Sequence, residues 1–141
     1  MKRALVLLWL LASGLAACQG PARTLVPEVV ASYPHDPEAF TQGLVWHEGR
    51  LFESTGLNGR SSLREVELET GRVLRSLPLA EEYFAEGLAL VGEDLVQLTW
   101  QNGEAFRYDL SSFALEATHR YDTEGWGLCF DGEKLYISDG S

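Results

Sequence analysis

Basic residues are scarce in this chain: 11 Lys and Arg stand against 21 Asp and Glu, a formal net charge of −10. With no cationic surplus to neutralise phosphates, nucleic acid is excluded as a partner. Cysteine is scarcer still. Two in 141 residues, Cys18 and Cys129, exclude a disulfide scaffold. The three histidines, His35, His47 and His119, do not stand at metal-ligand spacing, and no Cys/His cluster accompanies them. A catalytic zinc usually takes three protein ligands, so no metal and no cofactor is expected. Helical periodicity is missing too: outside the first 17 residues no window keeps an i, i+3, i+4, i+7 apolar face. What remains is 45% hydrophobic and 11% aromatic, the composition of an ordinary globular chain.

Met1-Lys2-Arg3 is a short cationic start, and residues 4–17 form an uncharged, largely apolar stretch. A membrane-spanning helix needs about 20 apolar residues, so this stretch has signal-peptide length and flanks. It closes on Leu15-Ala16-Ala17-Cys18, which resembles the lipobox of bacterial lipoproteins. That resemblance implies cleavage before Cys18 and attachment of a diacylglycerol to its thiol, anchoring an exported protein to the bacterial cell envelope. A plain Ala-rich cleavage site followed by an accidental cysteine is the alternative. With Cys18 lipidated, Cys129 has no disulfide partner. Its apolar setting, Gly127-Leu128-Cys129-Phe130, marks it as a small core residue. Loss of Lys2 and Arg3 leaves an even more acidic body, so membrane attachment must come from lipid and not from charge. The expected organisation is a leader over residues 1–17, a linker over 18–27 and a folded domain over 28–141.

The domain repeats itself. Residues 28–33 read as one strand, stopped by Pro34 and Pro37. Then three segments start alike: Gly43-Leu44-Val45, Gly87-Leu88-Ala89 and Gly127-Leu128-Cys129, spaced by 44 and 40 residues. Each runs into a Gly-containing turn and then a leucine eight positions after the glycine, namely Leu51, Leu95 and Leu135. That pattern makes a hairpin. In the first two repeats further strands follow at residues 63–68, 73–77, 105–110 and 113–117, with turns at Glu69-Thr70-Gly71-Arg72 and Ser111-Ser112. Along 63–68, Glu65, Glu67 and Glu69 read as a solvated face, and Trp46 as packing. Four strands per unit of about 40 residues is the period of a propeller blade. The chain thus predicts an all-β propeller with about two and a half blades present, fewer than the four or more of a closed ring. A fragment of a longer protein is the expectation, ahead of assembly from several copies.

The residue before each repeat glycine is Gln42, Glu86 or Trp126: an amide, a carboxylate and an indole at one equivalent position. A purely structural slot would more often repeat one residue type. Two positions upstream, Phe40 and Phe84 match. If equivalent blade positions face the propeller axis, these side chains converge on one pocket. Read from the residues alone, Glu86 is as consistent with a solvated loop carboxylate, Gln42 with a loop hydrogen-bonder and the aromatics with core.

Four motifs in order resemble one family: Phe40-Thr41-Gln42-Gly43-Leu44, Phe84-Ala85-Glu86-Gly87-Leu88, Leu98-Thr99-Trp100, and Glu124-Gly125-Trp126-Gly127-Leu128, the last followed by residues 135–141. The family is the plant- and bacterial-type glutaminyl cyclases (glutaminyl-peptide cyclotransferases). The resemblance implies a five-bladed propeller that converts N-terminal glutamine of peptides or proteins to pyroglutamate, releasing ammonia without a metal. Carried onto this sequence, it makes Glu86 the catalytic acid/base. Gln42, Phe40, Phe84, Trp100 and Trp126 become substrate-binding. The rival readings are a non-catalytic envelope propeller that binds peptides or a protein partner, and a metal-dependent propeller hydrolase.

Overall fold

The computed structural model describes residues 24–141; the leader assigned to residues 1–17 and the lipidation site Cys18 lie outside them. Ten strands and no helix occur among the described residues. The first sheet is a meander of β1 (Thr41–His47), β2 (Arg50–Thr55), β3 (Ser62–Val66) and β4 (Val73–Pro78), each antiparallel to the next. The second repeats it with β5 (Ala85–Val91), β6 (Asp94–Thr99), β7 (Glu104–Asp109) and β8 (Leu115–Arg120). A third unit contributes the hairpin β9 (Leu128–Phe130) and β10 (Leu135–Ile137). These are two blades of a β-propeller and the first hairpin of a third.

Turn chemistry sets the hairpins. Glu48 and Gly49 join β1 to β2 with φ of 48° and 80°, two successive left-handed residues that match the strand twist. β8 starts later than the sequence pattern suggests. Asp109 Oδ1 accepts hydrogen bonds from the hydroxyls of Ser111 and Ser112 and from Ser112 N–H. This side-chain turn leaves Phe113 in a left-handed conformation, φ 61°, with its ring buried. Phe113 therefore ends the turn, and pairing begins at Leu115.

The two complete sheets pack face to face. Phe52 and Leu63 of the first meet Leu88, Leu95, Phe106 and Tyr108 of the second, joined by Leu110 and Phe113 from the β7–β8 turn. Phe52, Leu63 and Leu95 are fully buried, each contributing about 1.5–3 kcal/mol of transfer free energy. On its other face the second sheet offers Val96, Leu98 and Ala105 to Leu128 of β9. Repeat glycines permit the close approach of the innermost strands. A Cβ on Gly43 would lie 2.6 Å from Leu88 N, and one on Gly87 would lie 2.5 Å from Leu128 N.

Four expectations are corrected. Residues 28–33 form no strand, because a strand needs a hydrogen-bonded neighbour and none among the described residues pairs with this segment. Glu65 is not solvated: it shares a sheet face with Phe52, and Arg50 and Arg75 pair with it at 2.8 and 2.9 Å. That face packs against the second sheet, so the position is covered although the residue is charged. Cys129 is exposed. It lies across from Tyr136 on the face of β9–β10 turned away from Leu128, and no sheet covers that face among the described residues. Trp46 is 56% exposed, on the face of β1 opposite to Val45, which packs against the core.

Candidate functional site

Gln42 and Glu86 both sit where strand pairing is interrupted. Register shifts fall between Thr41 and Gly43 in the first sheet and between Ala85 and Leu88 in the second. An unpaired residue in an inner strand is free to aim its side chain away from the ladder. Equivalent bulges in neighbouring blades bring the two together: Gln42 Nε2 donates to Glu86 Oε1 at 3.0 Å, across 44 residues of sequence. Part-burial of Glu86 raises its carboxyl to about 7, with desolvation the cause. Among the described residues no cation pairs with it. A carboxyl poised there can take a proton and return it near neutral pH.

The backbone around Glu86 is pinned from both sides. Ser54 Oγ donates to Glu86 O at 2.5 Å, and Gly87 N–H donates to Trp126 O at 2.7 Å. Behind Ser54 lies the fully buried Gln97, whose Nε2 donates to Ser54 Oγ at 2.8 Å and to Ser62 O at 3.2 Å. A polar chain thus runs from the interface between the sheets to the carbonyl of Glu86.

Aromatic rings continue from the same positions. Phe40 and Phe84 meet edge to face with centroids 6.1 Å apart, and Phe84 meets Trp100 in the same way at 5.6 Å. Gly56 leaves room for the Phe84 ring, which any Cβ there would strike. Trp100 and Trp126 are joined through one carboxylate: Glu124 Oε2 accepts from Trp100 Nε1 at 2.8 Å and from Trp126 Nε1 at 3.0 Å. Phe40, Trp100 and Trp126 remain partly exposed, as a wall open to a ligand must be.

The structure brings the six residues singled out from the sequence into two groups, Gln42 with Glu86, and Phe40, Phe84 and Trp100 with Trp126 through the Glu124 carboxylate. A backbone bond from Gly87 N–H to Trp126 O links them into a cluster. Ser54, Gln97 and Glu124 were missed. Ser54 and Gln97 carry no motif. Glu124 stood in a quoted motif, and its spacing of two from Trp126 was the available signal. No group of three or more His, Cys, Asp or Glu side chains placed to hold a metal occurs among the described residues. The grooves of about 650 and 310 Å³ lie elsewhere, between the blades, and share no residue with the cluster.

A sequence model described as glutamine cyclotransferase matches residues 4–141. The chain belongs to the glutamine cyclotransferase family. It is 47% identical over 116 residues to a glutaminyl-peptide cyclotransferase of Arabidopsis thaliana, covering 81% of this chain and 36% of that one. The crystal structure of Myxococcus xanthus glutaminyl cyclase superposes with a TM-score of 0.73 at 45% identity, over 80% of this chain and 47% of that one. The β-propeller domain of Cps50 from Myceliophteria thermophila matches with a TM-score of 0.56 at 14% identity, over 74% of this chain and 32% of that one. At that identity the match speaks to the fold alone. The chain therefore spans about a third to a half of the length of these family relatives.

Proposed function

We propose that the protein is a glutaminyl-peptide cyclotransferase that closes the N-terminal glutamine of peptides or proteins to pyroglutamate. The observation that carries this reading is the pair Gln42–Glu86: an amide hydrogen-bonded to a carboxyl that burial has raised to about 7. Family membership and the names of the two relatives support it.

The chemistry asks for little else. The α-amine of the substrate, with a pKa of about 7.7–8.0, attacks the carbon of its own side-chain carboxamide. A five-membered lactam forms and the C–N bond of the carboxamide breaks. Glu86 accepts the proton that the attacking nitrogen loses and passes it to the departing nitrogen, which leaves as ammonia. Glu86 ends as it began. Gln42 Nε2, which bonds Glu86 in the free protein, is placed to donate to the carboxamide oxygen as charge develops on it. Phe40, Phe84, Trp100 and Trp126 hold the glutamine side chain curled towards its amine, an orientation effect. They also keep water from competing with the amine.

The test separates catalysis from binding. The protein, extended to the length of its relatives, is incubated with a peptide starting in Gln, and the product mass is read. Loss of one ammonia per peptide is expected. Binding of the peptide with no change of mass would instead make this a non-catalytic propeller.

For residues 1–18 we propose cleavage before Cys18 and a diacylglycerol on its thiol, holding the protein on the cell envelope. The order of cationic start, apolar stretch and Leu15-Ala16-Ala17-Cys18 supports this. Cys18→Ser should lose lipid labelling and enter the soluble fraction; continued membrane association of that variant would contradict the proposal.

A further inference from the structure

Glu124 gathers more hydrogen bonds than its place in a surface loop requires. Trp100 Nε1 and Trp126 Nε1 both donate to Oε2, at 2.8 and 3.0 Å, and Gln101 Nε2 donates to Oε1 at 3.1 Å. Donors from Gln101, Trp100 and Trp126 together hold its carboxyl below the usual range, so it is ionised wherever the protein is folded near neutral pH. The two indoles come from different repeats, Trp100 after β6 and Trp126 before β9.

The loop that carries Glu124 is itself fixed. Gly125 N–H donates to Trp100 O at 2.8 Å, and Trp126 N–H donates to Ser138 O at 2.9 Å. Tyr121 OH accepts from Thr99 N–H at 3.2 Å and donates to Thr99 O. Any Cβ at Gly125 would strike the Tyr121 hydroxyl, and any Cβ at Gly140 would strike the Trp126 ring. A carboxylate on so constrained a backbone is a fixed point.

An indole at a partly exposed position turns about two torsions, and each turn moves its ring face by ångströms. Tying both N–H groups to one oxygen removes that freedom for both rings together. It also occupies the only polar atoms the indoles possess. Left unpaired, those donors would compete with Gln42 for the carboxamide of a bound glutamine.

We infer that Glu124 is the positioning residue of the substrate enclosure: its Oε2 sets the planes of Trp100 and Trp126 so that the pocket offers carbon faces and no spare indole donor. This rests on the cyclotransferase reading for its kinetic consequence, and on geometry alone for the contact.

The experiment compares Glu124→Ala and Glu124→Gln with the unaltered protein at the length of its relatives. Two readouts are used: the indole N–H resonances in a nitrogen–proton correlation spectrum, and ammonia release from a Gln-initiated dipeptide. In Glu124→Ala the resonances of Trp100 and Trp126 should move upfield while that of Trp46 stays, and kcat/KM should fall roughly 10- to 100-fold through misplaced substrate. The rise of activity near pH 7 that Glu86 governs should remain in place. Glu124→Gln should restore both resonances and most of the activity, since its amide oxygen accepts as the carboxylate does and Gln101 can turn its own amide to match. Unmoved resonances in Glu124→Ala overturn the inference, as does a Glu124→Gln variant no better than Glu124→Ala. If the unaltered protein releases no ammonia while the resonances respond as described, the cyclotransferase reading falls and the positioning contact stands.

Discussion

At Glu86 a single cause, loss of solvent, couples pH to stability and, on the proposed function, to turnover. The unfolded carboxyl titrates near about 4.3 and the folded one at about 7. The folded state therefore holds its proton over a window where the unfolded state has lost it. That contribution to stability is fully present below the unfolded value and is lost as pH rises through about 7. Glu86→Gln removes it. The difference in urea midpoint between the unaltered protein and Glu86→Gln should shift steadily in favour of the variant from about pH 4.5 to about 7; a constant difference would show that the carboxyl is not raised. On the proposed function turnover runs the other way, because only the carboxylate can accept the amine's proton. Ser54 acts one step back. Ser54→Ala frees the carbonyl of Glu86 and strips buried Gln97 of an acceptor, which should cost about 1–3 kcal/mol of stability in chemical denaturation. Of this residue-scale picture, the sequence showed the six side chains, because the repeat glycine is a visible reference point and Gln42, Glu86 and Trp126 occupy equivalent places beside it. It did not show Ser54, Gln97 or Glu124. The partners of Ser54 and Gln97 are 32 and 43 residues away, and no local pattern encodes a contact at that distance. Glu124 reaches Trp100 across 24 residues, and only its spacing of two from Trp126 was a local signal.

Between elements, the repeat glycines and the turn glycines do different work. Gly87→Ala would press a methyl against Leu128 N at 2.5 Å and Trp126 O at 2.6 Å, backbone atoms that cannot step aside. It should destabilise by about 3 kcal/mol, the upper end for overpacking, and should separate Glu86 from Trp126 and so lower activity. Gly92→Ala meets nothing within 4 Å but must hold φ at 61°, a strain of about 1–2 kcal/mol, with activity retained. Equal losses for the two would contradict close strand packing at the centre. Arg75 links the blades by pairing with Glu65, donating to Leu110 O and Ser111 O, and lying over the Phe113 ring at 3.6 Å. Those two arginines, Arg50 above all, hold the Glu65 carboxyl down. Its contribution is thus present above the unfolded value and lost as pH falls. Arg75→Ala should lower stability by about 2 kcal/mol at neutral pH and by less in acid. Hairpins and blade periodicity were legible because turn glycines and apolar spacing are local. Glu65 was misread because it lies on the face that packs against the second sheet, beside Phe52 and Leu63, where Arg50 and Arg75 pair with it. Cys129 and Trp46 were misread for the opposite reason: an apolar setting predicts burial only where a neighbouring sheet is present to cover it.

For the molecule as a whole, two blades and a hairpin place five of the six candidate residues on or beside the innermost strands β1, β5 and β9, with Trp100 at the end of β6. On the proposed function, the inner edge of these blades is the site. On the proposal of a lipid at Cys18, that site would face peptides in the envelope. The measurement that tests the central claim most directly is ammonia release from a Gln-initiated dipeptide across about pH 5.5 to 8.5. It compares the protein at the length of its relatives with its Glu86→Gln variant. The account predicts one ammonia per pyroglutamate formed, a rise in kcat/KM through pH about 7, and loss of roughly a hundredfold or more in Glu86→Gln with the fold intact. Undiminished release by Glu86→Gln, or a profile without that rise, would contradict it.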